Sequence, residues 1–197
     1  MVCVSSIGDK TICEKHNVCH IEEKNDPVSN KWNVGFMKMK ELNVDYILPL
    51  DSDDIMSNEY MANAIAAMEQ NPDLVYTRSI YFYSAMKDYM GSLYLLTHTS
   101  SLGQGKCIHR SVMDKLDWVP YKQGIGFGMN GALARAMRPY IIKGIEINGP
   151  ITDVKTRTNL NSIRVWARKI QIPTPSEVFL SYLSQPELNL LERIKKS

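Results

Sequence analysis

The sequence predicts an α/β fold in which a mostly parallel sheet is flanked by helices. Over residues 1–72, short β-branched runs alternate with helical patterns, and the connections are long enough for parallel crossovers. The chain of 197 residues is 44% hydrophobic and 22% charged, which is the composition of an ordinary globular domain. Its formal net charge of +2 is too small to argue for nucleic acid as a partner.

The elements of residues 1–72 follow from local patterns. Runs rich in β-branched and aromatic residues predict three strands, which are Val2–Ile7, His20–Glu23 and Tyr46–Leu50. Apolar residues at helical spacing behind a capping side chain predict two longer helices. One is capped by Ser29 or Asn30 and runs to about Asn43, and the other is capped by Ser57 and stops at Asn71-Pro72.

Beyond Asp73 the pattern changes to two Tyr-rich runs, Leu74–Tyr83 and Tyr89–Leu96, which predict a pair of antiparallel strands. Two further strands are predicted over Tyr140–Ile147 and Ile151–Lys155. The predicted helices are Arg110–Leu116, Ala132–Met137 and two that follow the capping boxes Thr174-Pro-Ser-Glu177 and Ser184-Gln-Pro-Glu187. We therefore expect a single domain, 1–197, with three parts that span 1–72, 73–172 and 173–197.

The cysteines and the hydropathy pattern indicate the compartment. None of the four cysteines forms a Cys-x-x-Cys pair, and no N-terminal segment reads as a secretory signal. They are predicted to be reduced thiols of a cytoplasmic protein. No apolar run approaches the roughly 18 residues that a membrane-spanning helix needs, so no transmembrane segment is predicted.

The sharpest chemical signal is the acidic run Asp51-Ser52-Asp53-Asp54, which follows the predicted strand Tyr46–Leu50. Open α/β sheets bind ligands beyond the carboxyl ends of their strands. Three carboxylates at one such end repel each other unless a cation lies among them, and Mg²⁺ and Mn²⁺ prefer oxygen ligands. The run predicts a divalent-metal site, with the alternative that Asp53 or Asp54 only caps a helix.

The helix before the acidic run begins with Asn30-Lys31-Trp32-Asn33-Val34-Gly35. A helix N-terminus attracts anions, and Lys31 adds a full positive charge there. Asn33 can hydrogen-bond a phosphate or a ribose, whereas Trp32 lies on the apolar face and is expected to pack in the core.

Together these motifs resemble the nucleotide-binding half of a GT-A glycosyltransferase. The resemblance lies in Val2–Ile7, Ile21–Glu23, Asn30-Lys-Trp-Asn-x-Gly35 and Tyr46-x-Leu-x-Leu-Asp-Ser-Asp-Asp54, and it is strongest with family 2-like enzymes, including short ones from viruses and phages. It implies a Rossmann-like sheet, with 1–72 as the nucleotide- and metal-binding half, 73–172 as the acceptor half and 173–197 as C-terminal helices. Because only twelve residues (8–19) separate the first two predicted strands, either the first βα unit is missing or Val2–Ile7 is the second strand of the usual set.

The resemblance implies roles for the acidic run. In that family an Asp-x-Asp motif holds Mn²⁺ or Mg²⁺ on the diphosphate of a nucleoside diphosphate sugar. Asp51, Asp53 and Asp54 are thereby implied as the metal site, with Asp51 near the ribose, Asp53 on the metal and Asp54 in support.

The resemblance also implies contacts to the nucleotide. An acidic residue at the end of the second strand of the nucleotide site often meets the base, and Glu23 or Asp26 stands there in this chain. Lys31 and Asn33 match the basic residue and the asparagine that precede the metal motif.

The catalytic base departs from the family pattern. Inverting members place an Asp or Glu in a Gly-Leu-Asp-like stretch, and the corresponding stretch here is Gly128-Met129-Asn130-Gly131. The Asn130 amide cannot act as a general base. Asp153 is the substitute, and Lys155 beside it is a candidate contact for phosphate, with the alternative that both are charges of an exposed strand.

The sequence therefore predicts a metal-dependent glycosyltransferase that moves a sugar from a nucleoside diphosphate sugar to a hydroxyl of a glycan, protein or small-molecule acceptor. It would act in the cytoplasm, which is the host cytoplasm if the chain is viral. The first alternative is a degenerate GT-A-like module that binds a nucleotide or glycan without chemistry. The second alternative, which the residues support less, is a nucleotidyltransferase.

Overall fold

The computed structural model describes residues 1–5, 8–24, 26–85, 93–97, 104–126, 128–155, 172–174, 177–181 and 183–196. The chain divides into two compact units. The first unit contains Met1–Leu48, Asn71–Leu74 and Cys107–Gly144, and the second contains Pro49–Gln70, Val75–Lys106 and Ile145–Ser197.

The strands and helices alternate at first and then give way to a strand-rich stretch. The strands are β1 (Val2–Ser5), β2 (Cys19–Glu22), β3 (Tyr46–Ile47), β4 (Asp54–Met56), β5 (Leu74–Tyr76), β6 (Ser79–Ser84), β7 (Leu93–Thr97), β8 (Cys107–His109), β9 (Gly144–Glu146), β10 (Ile151–Lys155) and β11 (Ile172–Thr174). The helices are α1 (Lys10–Lys15), α2 (Val28–Glu41), α3 (Asn58–Met68), α4 (Arg110–Asp114), α5 (Met129–Met137), α6 (Glu177–Leu180) and α7 (Gln185–Lys196). Over the described residues, no helix is both long enough and apolar enough to cross a membrane.

The second unit contains a five-stranded mixed sheet with the strand order β11-β7-β6-β10-β4. Strand β10 pairs parallel with β6 and antiparallel with β4, whereas β6–β7 and β7–β11 are antiparallel. In this register Asp153 of β10 lies opposite Asp54 of β4. The sheet thus joins two acidic segments that are about a hundred residues apart in the chain.

The first unit contains the parallel pair β1–β2, against which α2 packs, and the antiparallel pair β3–β8. Strands β5 and β9 have residues in both units. The structure therefore confirms the predicted α/β class, with both parallel and antiparallel pairing.

The apolar core of the second unit lies on the face of β6 and β10. Phe179 of α6 is fully buried, and its ring centroid is 4.5 Å from that of Tyr83. Val154, Leu93 and Leu191 complete the buried cluster with Leu183 and Ala85. Burying one such side chain stabilises the fold by about 1.5–3 kcal/mol, so this cluster anchors the C-terminal helices to the sheet.

Several element boundaries differ from those that the sequence predicts. The predicted strand Leu74–Tyr83 is two strands, because the Thr77 hydroxyl accepts a hydrogen bond from the Ser79 N–H at 3.1 Å and closes a local turn. The predicted strand Tyr140–Ile147 is wrong at its start, where Arg138–Tyr140 is a 3-10 helix. Helix α2 begins at Val28 after Pro27, rather than after a Ser or Asn cap.

Helix α3 begins as predicted, because the Ser57 hydroxyl accepts a hydrogen bond from the Tyr60 N–H at 3.1 Å. Tyr60 is fully buried, and its hydroxyl donates to the Gly105 carbonyl. Gly149 lies against the backbone of this first turn at φ +133°, so that a Cβ there would come within 2.6 Å of Tyr60 Cα. Only glycine fits this contact without a shift of the helix.

We expect Gly149→Ala to lower the free energy of unfolding by about 2–4 kcal/mol, since it combines an overpacked contact with a strained φ. Urea unfolding followed by circular dichroism measures the change. Gly126→Ala is the matched control, because a Cβ added there would meet no heavy atom of the described residues within 4 Å, and its effect should stay within about 0.5 kcal/mol. Equal stability of the two variants would contradict the close contact.

Candidate metal centre

The acidic run forms a tight turn that leads into β4. The Asp54 N–H donates to the Asp51 carbonyl at 3.1 Å, and the Asp51 N–H donates to Asp54 Oδ2 at 3.2 Å. The Asp53 carbonyl accepts from the Val154 N–H at 2.8 Å, which ties the turn to β10. The turn therefore fixes Asp53 and Asp54 at the edge of the five-stranded sheet. The alternative that Asp53 or Asp54 caps a helix is not seen, because Ser57 caps α3.

Three carboxylates meet at this point. One oxygen from each of Asp53, Asp54 and Asp153 lies within 4.8 Å of the other two. Asp54 and Asp153 are 8% and 2% exposed. The Lys155 ammonium lies 2.5 Å from Asp153 Oδ2 and 3.8 Å from Asp53 Oδ2. The structure thus brings together Asp53, Asp54, Asp153 and Lys155 from the predicted site residues, whereas Asp51 is exposed beside them.

Burial and mutual repulsion hold protons on this cluster. Burial, together with the charges of Asp153, Asp51 and Asp53, raises the pKa of Asp54 to about 9, although the hydrogen bond from the Asp51 N–H acts in the opposite direction. Burial also raises the pKa of Asp153 to about 7, although the Lys155 ammonium acts in the opposite direction. The ionised cluster is therefore stable near neutral pH only when positive charge is close to it.

The donor set fits a hard divalent cation. Oδ1 of Asp54 and Oδ1 of Asp153 are buried and accept no hydrogen bond from the residues that the structure describes. Such unsatisfied carboxylate oxygens cost free energy unless a ligand takes them up. Mg²⁺ and Mn²⁺ take carboxylate oxygens and leave further positions for substrate phosphates. Asp53, Asp54 and Asp153 can hold one such ion.

Four of the predicted nucleotide contacts, Glu23, Asp26, Lys31 and Asn33, lie in the first unit, whereas Asp51 and Lys155 lie in the second. Glu23 and Lys31 are half-buried and Asp26 is exposed, with Lys31 in the first turn of α2. The Asn33 side chain is buried and bonded to the backbone of Tyr121, donating to its carbonyl at 2.9 Å and accepting from its N–H at 3.3 Å. These two bonds give Asn33 a structural role, and its contact with a nucleotide stays a prediction.

Two further hydrogen bonds hold the loop that contains Tyr121 against α2. Ser29 is fully buried. Its N–H donates to the Ile125 carbonyl at 3.1 Å, and its hydroxyl accepts from the Ile125 N–H at 3.1 Å. Asn130 lies beyond this loop as an exposed residue in the first turn of α5, after Gly128 in the left-handed region at φ +70°.

Among the described residues, Lys106 is a buried charge outside the predicted site. Lys106 is 1% exposed, and its Nζ has no hydrogen-bond partner among the described residues. Burial lowers its pKa to about 8. Local patterns did not distinguish this lysine from a surface charge, since its burial depends on long-range packing.

Comparisons with known proteins bear on the fold. The sequence matches no protein-family model and no curated protein. Among solved structures, the fold is similar to the crystal structure of residues 1–349 of TarS from S. aureus, a family 2 glycosyltransferase, with a TM-score of 0.56. The identity is 13%, and the match covers 78% of this chain and 50% of that chain, so the chain spans about half the length of its structural neighbour. At this identity the similarity establishes the fold alone, which is GT-A-like.

Proposed function

We propose that the chain is a metal-dependent glycosyltransferase that transfers a sugar from a nucleoside diphosphate sugar to an acceptor hydroxyl. The observation that carries this proposal is the cluster of Asp53, Asp54 and Asp153, which gathers three carboxylate oxygens within 4.8 Å at the sheet edge of a GT-A-like fold. Fold similarity alone does not decide function, so the chemistry of this cluster is the stronger support.

The residues of the chain have distinct tasks in this proposal. Asp53 and Asp54 hold a divalent ion, and their turn keeps both carboxylates close to that of Asp153. When bound, Mn²⁺ or Mg²⁺ offsets the negative charge that develops on the departing diphosphate. Asp51 remains the predicted ribose contact, and Glu23, Asp26, Lys31 and Asn33 remain predicted nucleotide contacts.

Asp153 has two possible uses, as a third ligand or as the general base for the acceptor hydroxyl. Its oxygen lies among those of Asp53 and Asp54, which favours a ligand. Its pKa of about 7 suits a base near neutral pH. We propose Asp153 as a ligand, and we retain the general base as the alternative role.

A second candidate function is a GT-A-like module that binds a nucleotide or glycan without transfer. The observation that favours it is Asn130, an amide at the first turn of α5, where the family resemblance implies a carboxylate. Calorimetry with Mn²⁺ and a panel of nucleoside diphosphate sugars, followed by a turnover assay, separates the two functions, since binding without turnover identifies the module.

We expect Asp53→Asn to lower Mn²⁺-dependent hydrolysis of the donor sugar by about a hundredfold or more, because it removes one anionic ligand. Release of nucleoside diphosphate measures this rate. Glu69→Gln is the control, since Glu69 is an exposed carboxylate at the end of α3 in the same unit, and its turnover should match wild type. Unchanged turnover in Asp53→Asn would remove the metal role.

The affinity for Mn²⁺ should rise with pH. Below the pKa of about 7 for Asp153 and about 9 for Asp54, protons occupy the oxygens that the ion needs. Displacing the Asp54 proton contributes up to about tenfold in affinity per pH unit below about pH 9, and displacing the Asp153 proton contributes the same below about pH 7. Calorimetry in two buffers with unequal ionisation enthalpies counts the released protons, and binding with no release at about pH 7 would contradict this prediction.

A further inference from the structure

The Lys155 ammonium is paired with carboxylates that the proposed ion needs as ligands. It lies 2.5 Å from Asp153 Oδ2 and 3.8 Å from Asp53 Oδ2, and its side chain is only 6% exposed. The Phe82 ring centroid lies 5.6 Å from Nζ, which adds a cation–π contact. Lys155 is therefore bound to two of the three carboxylates that form the candidate metal centre.

A buried ammonium and a divalent ion cannot share these carboxylates at low cost. A buried ammonium needs opposite charges close to it, because burial removes it from water. A second cation at the same oxygens would repel it strongly, since the repulsion is weakly screened in a buried site. The lysine stem has four rotatable carbons, so the head group can leave the carboxylates without unfolding the strand.

We propose that Lys155 is a built-in counter-ion of the carboxylate cluster, and that a divalent cation binds to Asp53, Asp54 and Asp153 by displacing its ammonium from Asp153. This inference rests on the proposed function, because it concerns the same metal centre. Lys155 is a positioning residue in this role. It keeps the three carboxylates together before the ion arrives, and it sets the affinity for the ion.

The charge of Lys155 can be removed or strengthened in two variants with opposite expected effects. Lys155→Met keeps the length and the apolar stem but removes the competing charge, so Mn²⁺ should bind about tenfold tighter or more. Lys155→Arg keeps the charge and pairs with carboxylates through two N–H groups, so Mn²⁺ should bind about tenfold weaker. A merely structural role would weaken binding in both variants.

The experiment is an electron paramagnetic resonance titration of the full-length chain with Mn²⁺ alone, which measures free hexaaqua Mn²⁺ and needs no turnover. The control is Lys115→Met, which removes an exposed lysine of the first unit and should match wild type. If Lys155→Met does not fold, Lys155→Arg decides, since binding equal to or tighter than wild type in that variant overturns the inference.

The remaining outcomes separate this inference from the proposed function. If wild type binds Mn²⁺ and Lys155→Met binds it no more tightly, the counter-ion role is overturned and the metal centre stands. If only Lys155→Met binds Mn²⁺, the ammonium excludes the ion from wild type, which overturns both the displacement and the metal dependence of the proposed function. If neither binds Mn²⁺, both the metal centre and the inference are overturned.

Discussion

The repulsion among three buried carboxylates is the constraint on which the candidate site depends. The pairing of β10 with β4 and β6 forces Asp153 against Asp54, and the turn at residues 51–54 adds Asp53. A protein can relieve such repulsion with protons, with an ammonium or with a metal ion. The raised pKa values of Asp54 and Asp153 favour the first, the Lys155 contact supplies the second, and the proposed function adds the third.

Local sequence patterns predicted those parts of the site that local forces determine. The acidic turn, the Ser57 cap and the bounds of β10 follow from neighbouring residues and were predicted correctly. The register that places Asp153 opposite Asp54 could not be predicted, because it depends on pairing between segments about a hundred residues apart. For the same reason Asp153 was predicted as a base and not as a metal ligand. The bonds between Asn33 and the Tyr121 backbone could not be predicted either, because they form only in the folded chain, and the contact of Asn33 with a nucleotide stays a prediction.

The fold and the site support the proposed function with different strength. The GT-A-like fold is shared with a glycosyltransferase at 13% identity, and the match covers half of that protein. This similarity constrains the architecture of the chain and leaves its chemistry open. The carboxylate cluster constrains the chemistry, because three oxygen ligands beside a buried lysine suit a hard cation and an anionic substrate. The acceptor is constrained by neither, so its identity must come from the assay.

The hydrogen bonds between α2 and the loop that follows α4 have a mechanical consequence. Tyr121 is held by two hydrogen bonds to Asn33, and Ile125 is held by two hydrogen bonds to Ser29. The loop is therefore bonded to the helix at two points that are one helical turn apart. The four bonds couple residues 121–125 to α2, so that displacing this stretch of the loop requires either breaking these bonds or moving the helix with it.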